Sequence, residues 1–378
     1  MKELYIQSFY FEYYIVNMDK NNYKITIITV VYNGSKTIEH TIRSVKNQSY
    51  NNVEYIVIDG NSTDGTQDII NKNLAYIDFY ISESDNGIYD AMNKGLKYAT
   101  GDIISFLNSG DWYELDILQN IVSYFSERSI DIILGGANVI DNGSVMFIRR
   151  SDISNIKFGI PCCHQAVFAK RRVFEFIGDF NIKYQICADY EWLLRAYNSN
   201  MNIRCVNDIF VNYLYGGISD QQFIHLIEER EKISMINARE NNDKVLMTQI
   251  NILGKTQKEE YIKNKLCYEI FLNNKNYVLD LLGRDTSYYI WGTGYYGRKC
   301  FKLFRLIDIH IKGFIDNKKL DSLYDYPVFL PQDIQENVII CIATPKYEKE
   351  IIAQLEKMCI DNKYICFSKL RDELVLTH

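Results

Sequence analysis

From Ile25 onward, unbroken apolar runs alternate with stretches in which apolar residues recur at helical spacing. Ile25 to Val31 (ITIITVV) is rich in β-branched residues and predicts a strand buried on both faces. Tyr32-Asn33-Gly34 is a turn, and Ser35 or Thr37 can cap a helix whose apolar positions are Ile38, Ile42 and Val45. Val53 to Ile58 predicts a second strand, ending in DGNSTDG, a loop dense in turn formers. A helix follows from Thr66 through Ile70, and Ala75 to Ile81 predicts a third strand. Ile88, Ala91, Met92, Gly95, Leu96 and Ala99 share one helical stripe, with Asp85 or Asn86 as its cap. Ile103, Ile104, Phe106 and Leu107 predict a fourth strand, which stops at Asn108-Ser109-Gly110-Asp111. Repeated strand–helix alternation predicts a parallel α/β sheet with right-handed crossovers. An acidic loop after a buried strand lies at the strand's carboxyl end, where open α/β sheets bind ligands; a solvated turn is the plain alternative.

Past Asp131 the pattern changes. Ile132 to Leu134, Val145 to Ile148 and Ala166 to Ala169 predict shorter strands, and Ile177-Gly178 is a break. Ala188 to Ala196 predicts a helix, Ile203 to Phe210 a strand, and Tyr213 to Ser219 a flexible glycine loop. Residues 221 to about 275 are helical in pattern, with Ile224, Ile227, Ile233 and Ile236 on a stripe. Near Asp285 the strand–helix signal restarts. The expected organisation is an extension over 1–23, a main domain over 24–220, a helical connector over 221–284 and a small α/β domain over 285–378. The aromatic start lacks a basic region and a cleavage site, so it is not a signal peptide. Residues 1–17 are an ill-defined start or a short aromatic surface anchor.

Composition narrows the function. The 378 residues are 47% apolar, enough for real cores, and the formal charge is −6. An acidic chain gives no support to nucleic-acid binding. Nine cysteines without a CxxC suggest neither a disulfide framework nor a zinc site, and fit a reduced, cytoplasmic compartment. No apolar run approaches the roughly 20 residues that span a bilayer. Asp59, Asp64, Asp90 and Asp111 fall where parallel topology gathers loops into one crevice. Such carboxylates suit a nucleotide diphosphate with Mg²⁺ or Mn²⁺. A P-loop lysine motif is missing near the first strand, which argues against nucleotide triphosphate hydrolysis.

Several motifs then fall in order: TVVYNG at 29–34, IDGNSTDGT at 58–66, ESDNGIYDAMNKGLKYATGD at 83–102 and FLNSGDWY at 106–113. CHQAVF at 163–168, CADYEWLLR at 187–195 and YGGIS at 215–219 complete the set. Together they resemble the inverting family-2 glycosyltransferases of the GT-A fold, over about residues 24–220. The resemblance implies a mixed, mainly parallel sheet and a nucleotide-diphosphate sugar donor, with a UDP-sugar foremost. Val30 and Tyr32 would line the base pocket, and Asp59 would accept a hydrogen bond from the base. Asp90 and Asn93 would face the donor, and Gly216, Gly217 and Ser219 would form a lid over it. His164, Gln165 and Arg195 would lie beside acceptor and diphosphate. Asp111 would hold the metal, although Asn108 and Gly110 stand where the family's carboxylates often do. Asp189 would be the catalytic base, taking the acceptor hydroxyl's proton. Each has a plain alternative: Asp59 and Asp189 as helix caps, Asp90 and Asn93 as a solvated helix face, His164 as a core residue, the glycine loop as a surface turn.

The acceptor implied is a glycan or lipid-linked glycan, in capsule, O-antigen or exopolysaccharide synthesis. Arg149, Arg150, Lys157, Lys170, Arg171 and Arg172 form a basic run, either a solvated face or a contact with anionic lipid or a lipid diphosphate. The latter would place the protein peripherally at the inner face of the membrane. In the last domain, Gly292, Gly294 and Gly297 follow a strand, and Asp316 ends the next. That is a dinucleotide-type layout, and the segment is similar to the small Rossmann-like domain that precedes sugar acyltransferases. The rival function is a non-catalytic sugar-nucleotide-binding protein with a depleted metal motif. A sugar nucleotidyltransferase would need an early glycine-rich basic loop, which Tyr32 to Lys36 does not supply.

Overall fold

The computed structural model describes residues 22–283, 286–317, 322–334, 339–357 and 363–377. Residues 1–17, read above as an extension or anchor, lie outside the described residues. The chain divides into two compact units, Met1–Ile140 with Ile148–Asn251, and Asp141–Phe147 with Ile252–His378.

The first unit opens with β1 (Ile25–Val31), α1 (Ile38–Lys46), β2 (Val53–Asp59), α2 (Thr66–Lys72), β3 (Phe79–Ser82), α3 (Ile88–Tyr98) and β4 (Ile103–Phe106). There follow β5 (Trp112–Tyr113), α4 (Ile117–Phe125), β6 (Ile132–Asp141), β7 (Ser144–Arg149, its residues to Phe147 belonging to the second unit), β8 (Val167–Lys170), α5 (Arg171–Ile177), α6 (Ala188–Asn198) and β9 (Ile203–Leu214). The first unit's sheet runs β3-β2-β1-β4-β8-β6-β9-β5. Neighbours β3-β2, β2-β1, β1-β4 and β6-β9 are parallel; β4-β8, β8-β6 and β9-β5 are antiparallel. The fold is thus mixed α/β with a mainly parallel sheet. Alternation along β1 explains why its run is apolar throughout: Ile25 and Ile27 enter one core with α1 and α4, Ile28 and Val30 another with α3 and α6.

Three strands differ from the sequence expectation. Leu74–Tyr76 is a 3₁₀ turn, and pairing with β2 begins only where Asp78 N–H donates to Tyr55 O (2.9 Å) and Asp78 Oδ2 accepts from Tyr55 N–H (2.7 Å). Strand β6 runs on to Asp141 because β9 accompanies it through Leu214. A Cβ at Gly135 would lie 2.2 Å from the Phe210 ring, so glycine there lets a buried aromatic pass. The helical stripe also narrows: Ile227 and Ile233 are buried, whereas Ile236 is exposed.

Helices α7 (Ile218–Gln221), α8 (Phe223–Glu240), α9 (Lys244–Asn273) and α10 (Lys275–Leu282) follow. The second unit continues with β10 (Ser287–Trp291), α11 (Tyr295–Leu306), β11 (His310–Ile315), β12 (Ser322–Leu323), β13 (Tyr326–Phe329), β14 (Ile339–Ile342), α12 (Glu348–Lys357), β15 (Lys363–Cys366) and α13 (Phe367–Thr377). Its sheet runs β12-β13-β11-β10-β14-β15, parallel except at β12-β13. One core joins it to α10, α11 and α13, a second to α12, so helices cover both faces.

A buried carboxylate ties the amino ends of the first unit's central strands. Glu54 accepts from Lys24 Nζ (2.7 Å), Thr26 Oγ1 (2.6 Å) and Thr100 N–H (2.7 Å). Burial works to raise its pKa, but those hydrogen bonds outweigh burial and hold it down at about 2. A depressed folded value stabilises the fold fully above the free carboxyl's 4.5, and that stability is lost as pH falls towards 2. Glu54→Gln is expected to cost about 2 kcal/mol at neutral pH. The Tm gap between variant and wild type should shrink as pH is taken from 6 to 3 in a melting series. A gap independent of pH would refute the assignment.

Candidate active site

The loops at the carboxyl edge of β1, β2 and β4 are knitted together by their own polar groups. Asn33, at φ 50°, donates its N–H to Ser62 Oγ (2.7 Å), and its Oδ1 accepts from Thr63 N–H (2.9 Å). Gly34 N–H donates to Thr66 Oγ1 and Ser35 N–H to Asp64 Oδ2. A Cβ at Gly34 would lie 2.7 Å from Ser109 Oγ, so the β1 turn and the β4 loop meet only because this residue is glycine. Tyr32 projects from the turn, 67% exposed, while Val30 is buried and its carbonyl accepts from Ser109 N–H. Asp59 ends β2 fully buried. Its Oδ2 accepts from Ser62 N–H (3.0 Å) and Ser82 Oγ (2.6 Å), and its Oδ1 has no hydrogen-bond partner. A buried acceptor without a donor is costly, and one at a ligand-binding edge marks where a ligand's N–H would fit.

The loop after β4 hangs from α1. Thr41 Oγ1 donates to Asp111 O and accepts from Gly110 N–H, and Thr37 Oγ1 lies 3.0 Å from Ser109 Oγ. Thr41 sits among the apolar positions of α1, and a polar residue on a buried stripe was the sequence signal for this anchor. Asp111 is 5% exposed, with Oδ1 accepting from Leu214 N–H (2.9 Å) and Oδ2 from the Gln165 amide. Burial pushes its pKa up to about 7. Asn108 directs Nδ2 at His164 Nε2 (3.0 Å) and leaves Oδ1 buried without a partner.

The protein alone offers a divalent cation few ligands. Each Asp111 oxygen already accepts one N–H and keeps a second lone pair, Gly110 has no side chain, and Asn108 offers a neutral, unpartnered amide oxygen, so Asp111 and Asn108 would hold the ion together with phosphate oxygens of a donor. Among the described residues no group of three or more His, Cys, Asp or Glu side chains converges as a ligand set.

Asp189 stands in the first turn of α6. Its Oδ1 accepts from the Tyr89 hydroxyl (2.9 Å) and Tyr190 N–H (2.8 Å), and its Oδ2 lies 3.6 Å from His164 Nδ1. Burial depresses the His164 pKa against the pull of Asp189, so the imidazole is neutral. With the Asn108 amide donating to Nε2, the ring proton sits on Nδ1 and faces Asp189. Phe106, Phe180 and Trp192 line a pocket with His164 and Asp189. Glu229 of α8 steadies the approach to α6, accepting backbone N–H groups of Gln185 (2.7 Å), Ile186 (2.8 Å) and Cys187 (3.0 Å).

Other expected residues are engaged elsewhere. Asn93 does not present its amide to a donor: Nδ2 donates to Phe180 O (2.8 Å) and Oδ1 accepts from Phe180 N–H (3.0 Å). The Arg195 guanidinium is held by Glu191 and by the carbonyls of Ile177 and Asp179, not offered to a phosphate. Gln165, 2% exposed, buttresses Asp111. Asp90 accepts from Asn86 N–H at the start of α3. The glycine loop is pinned by Asp220, whose Oδ2 accepts from Tyr213 OH and Gly216 N–H, with Gly216 at φ 103° and Gly216 and Gly217 exposed; Ser219 lies in α7. The basic run is not one patch. Lys170 is buried on Arg128 O, Arg172 pairs with Asp131, and Arg171 faces Glu175. In the second unit Asp316 Oδ2 accepts from Thr293 N–H and Oγ1, inside the loop it was expected to serve. Gly292 has φ 117°, a Cβ at Gly297 would lie 1.8 Å from Gly292 O, and Gly294 caps α11. Tyr89, Thr41 and Glu229 are the residues that motif reading passed over.

A parallel sheet edge with an orphaned buried acceptor at the carboxyl ends of its strands is where open α/β sheets bind ligands. The Glycosyl transferase family 2 profile matches residues 26–193. A "PGL/p-HBAD biosynthesis glycosyltransferase" of Mycobacterium bovis is 29% identical over 209 residues, 53% of this chain and 82% of that protein. An "Uncharacterized glycosyltransferase" of Mycobacterium tuberculosis is 31% identical over 195 residues, 48% of this chain and 72% of that protein. The "UDP-Glc:alpha-D-GlcNAc-diphosphoundecaprenol beta-1,3-glucosyltransferase WfgD" of Escherichia coli is 27% identical over 261 residues, 67% of this chain and 92% of that protein. The chain belongs to glycosyl transferase family 2.

Mn²⁺ titrated calorimetrically into the protein without nucleotide is expected to give no saturable binding. Asp111→Ala, which strands two buried N–H donors, should cost about 3 kcal/mol in urea unfolding. Saturable Mn²⁺ binding that Asp111→Ala removes without loss of stability would show that Asp111 holds the ion without a donor.

Proposed function

We propose that this chain is an inverting, GT-A-type glycosyltransferase. It moves a sugar from a nucleotide-diphosphate sugar, with UDP the favoured nucleotide, to a hydroxyl of a glycan or lipid-linked glycan. The observation that carries the reading is the Asp189 carboxylate, tied through Oδ1 and open at Oδ2 beside a neutral His164. Inversion needs one base opposite the leaving group. The acceptor's O–H proton passes to Oδ2 as that oxygen bonds to the anomeric carbon. The bond from the anomeric carbon to the phosphate oxygen breaks, and its electron pair leaves on the nucleoside diphosphate. The transition state is oxocarbenium-like. Asp59 Oδ1 is suited to accept an N–H from the base of the donor, with Tyr32 beside it, and Asn108 Oδ1 to a donor hydroxyl. A Mg²⁺ or Mn²⁺ ion, held by Asp111, Asn108 and the donor's own phosphates, would supply positive charge to the departing diphosphate.

The name of the Escherichia coli relative supports a lipid-linked acceptor, and with it a place in surface-polysaccharide assembly at the inner face of the membrane. No described helix is long and apolar enough to cross a membrane. The second unit, whose parallel strands follow the order 3-2-1-4-5, is read as a Rossmann-like domain. Its glycine loop is the nucleotide candidate there. The depleted loop at Asn108 to Asp111 favours one other reading, a sugar-nucleotide-binding protein without turnover.

Thermal-shift measurements with UDP-, GDP- and dTDP-sugars should single out one nucleotide, and slow hydrolysis of that donor separates a catalyst from a binder. Asp189→Asn is expected to lower transfer about a thousandfold while the donor-induced Tm shift persists. Wild-type transfer in that variant would remove Asp189 as the base.

A further inference from the structure

We infer that Tyr89 is the positioning residue of the Asp189 carboxylate, tying one oxygen so that the other is left to take the acceptor's proton. The inference rests on Asp189 being the base. Tyr89 lies in the first turn of α3 and is 5% exposed. Its hydroxyl is 2.7 Å from Ile186 O and 2.9 Å from Asp189 Oδ1, so its one proton is shared between a carbonyl and the carboxylate. Ile186 is itself held, its N–H donating to Glu229 Oε2. The hydroxyl is therefore fixed from one side by the backbone that α8 anchors, and fixes the carboxylate from the other.

Packing explains the ring and leaves the hydroxyl unexplained. The ring meets Phe180 at 5.6 Å between centroids, a contact phenylalanine would make equally well. Both donors to the carboxylate, Tyr89 OH and Tyr190 N–H, fall on Oδ1. Among the described residues, Oδ2 faces the His164 ring nitrogen at 3.6 Å. Hydrogen bonds to the ionised form favour it, and two on one oxygen also stop rotation about the terminal bond. Burial and the Asp189 charge push the Tyr89 phenol far up, so it stays a donor. The titratable groups facing Asp189 are Tyr89, His164, Cys162, Cys163 and Cys187, with Arg149 beside His164. Burial raises all three thiols from 9.0 and lowers His164 from 6.5, which leaves all of them neutral between pH 6.5 and 9.0.

Tyr89→Phe in the full chain tests this. With the donor identified by thermal shift, kcat should fall about 10- to 100-fold with donor KM unchanged. The acid limb of the kcat–pH profile should move up by about one unit. In an Asp189→Asn background the same substitution should cost no further activity. If Asp189→Asn is inactive but Tyr89→Phe keeps wild-type kcat and an unmoved acid limb, the positioning role is wrong and the base stands. If Asp189→Asn retains full transfer, the base reading itself has failed. Should Tyr89→Phe not fold, 3-fluorotyrosine at position 89, which keeps the ring and the hydroxyl but makes the phenol more acidic, decides: a kcat and an acid limb equal to wild type overturn the positioning role.

Discussion

One hydrogen bond, from the Tyr89 hydroxyl to Asp189 Oδ1, joins the helix that backs the parallel strands to the helix that carries Asp189. Helix α3 packs against β1 and β2, so the first half of the unit governs where the second half places its acid. Asn93, one turn along α3, adds two hydrogen bonds to Phe180 and holds the chain that leads into α6. Glu229 closes that segment from the other side, with a single carboxylate accepting three backbone N–H groups. Three backbone N–H groups of an irregular segment are thereby paired with one side chain, as a partly buried backbone requires.

The same demand sorts the polar atoms at the sheet edge. Asp64, Asp111, Gln165 and Thr41 are engaged in building the loops. What remains unpartnered and buried is Asp59 Oδ1 and Asn108 Oδ1, with Asp189 Oδ2 open beside the imidazole. Asp59 and Asn108 stand at the carboxyl ends of β2 and β4, the two strands that flank β1, and Asn108 leads through His164 to Asp189.

The second unit shows the same economy. Asp316 braces Thr293 within its own glycine loop, and Gly297 lets α11 close on Gly292. The glycines of that loop serve helix–strand packing as much as ligand approach, which is one reason a glycine motif alone says little about what binds.

The strands, most helices and the family were legible in the residues, because a strand buried on both faces must be apolar throughout and a half-buried helix must be striped. The strand ends were less so: β6 and β9 lengthen each other by pairing, which no local pattern encodes. The resemblance singled out Asp189, but which atoms of each polar side chain are already engaged was not legible. Asp111 finds its partners 54 and 103 positions away, Asn93 at 87 and Asp189 at 100. Local sequence sets what a side chain can do; only the tertiary fold decides which of its atoms are already taken, because hydrogen-bond partners at such separations are chosen by packing.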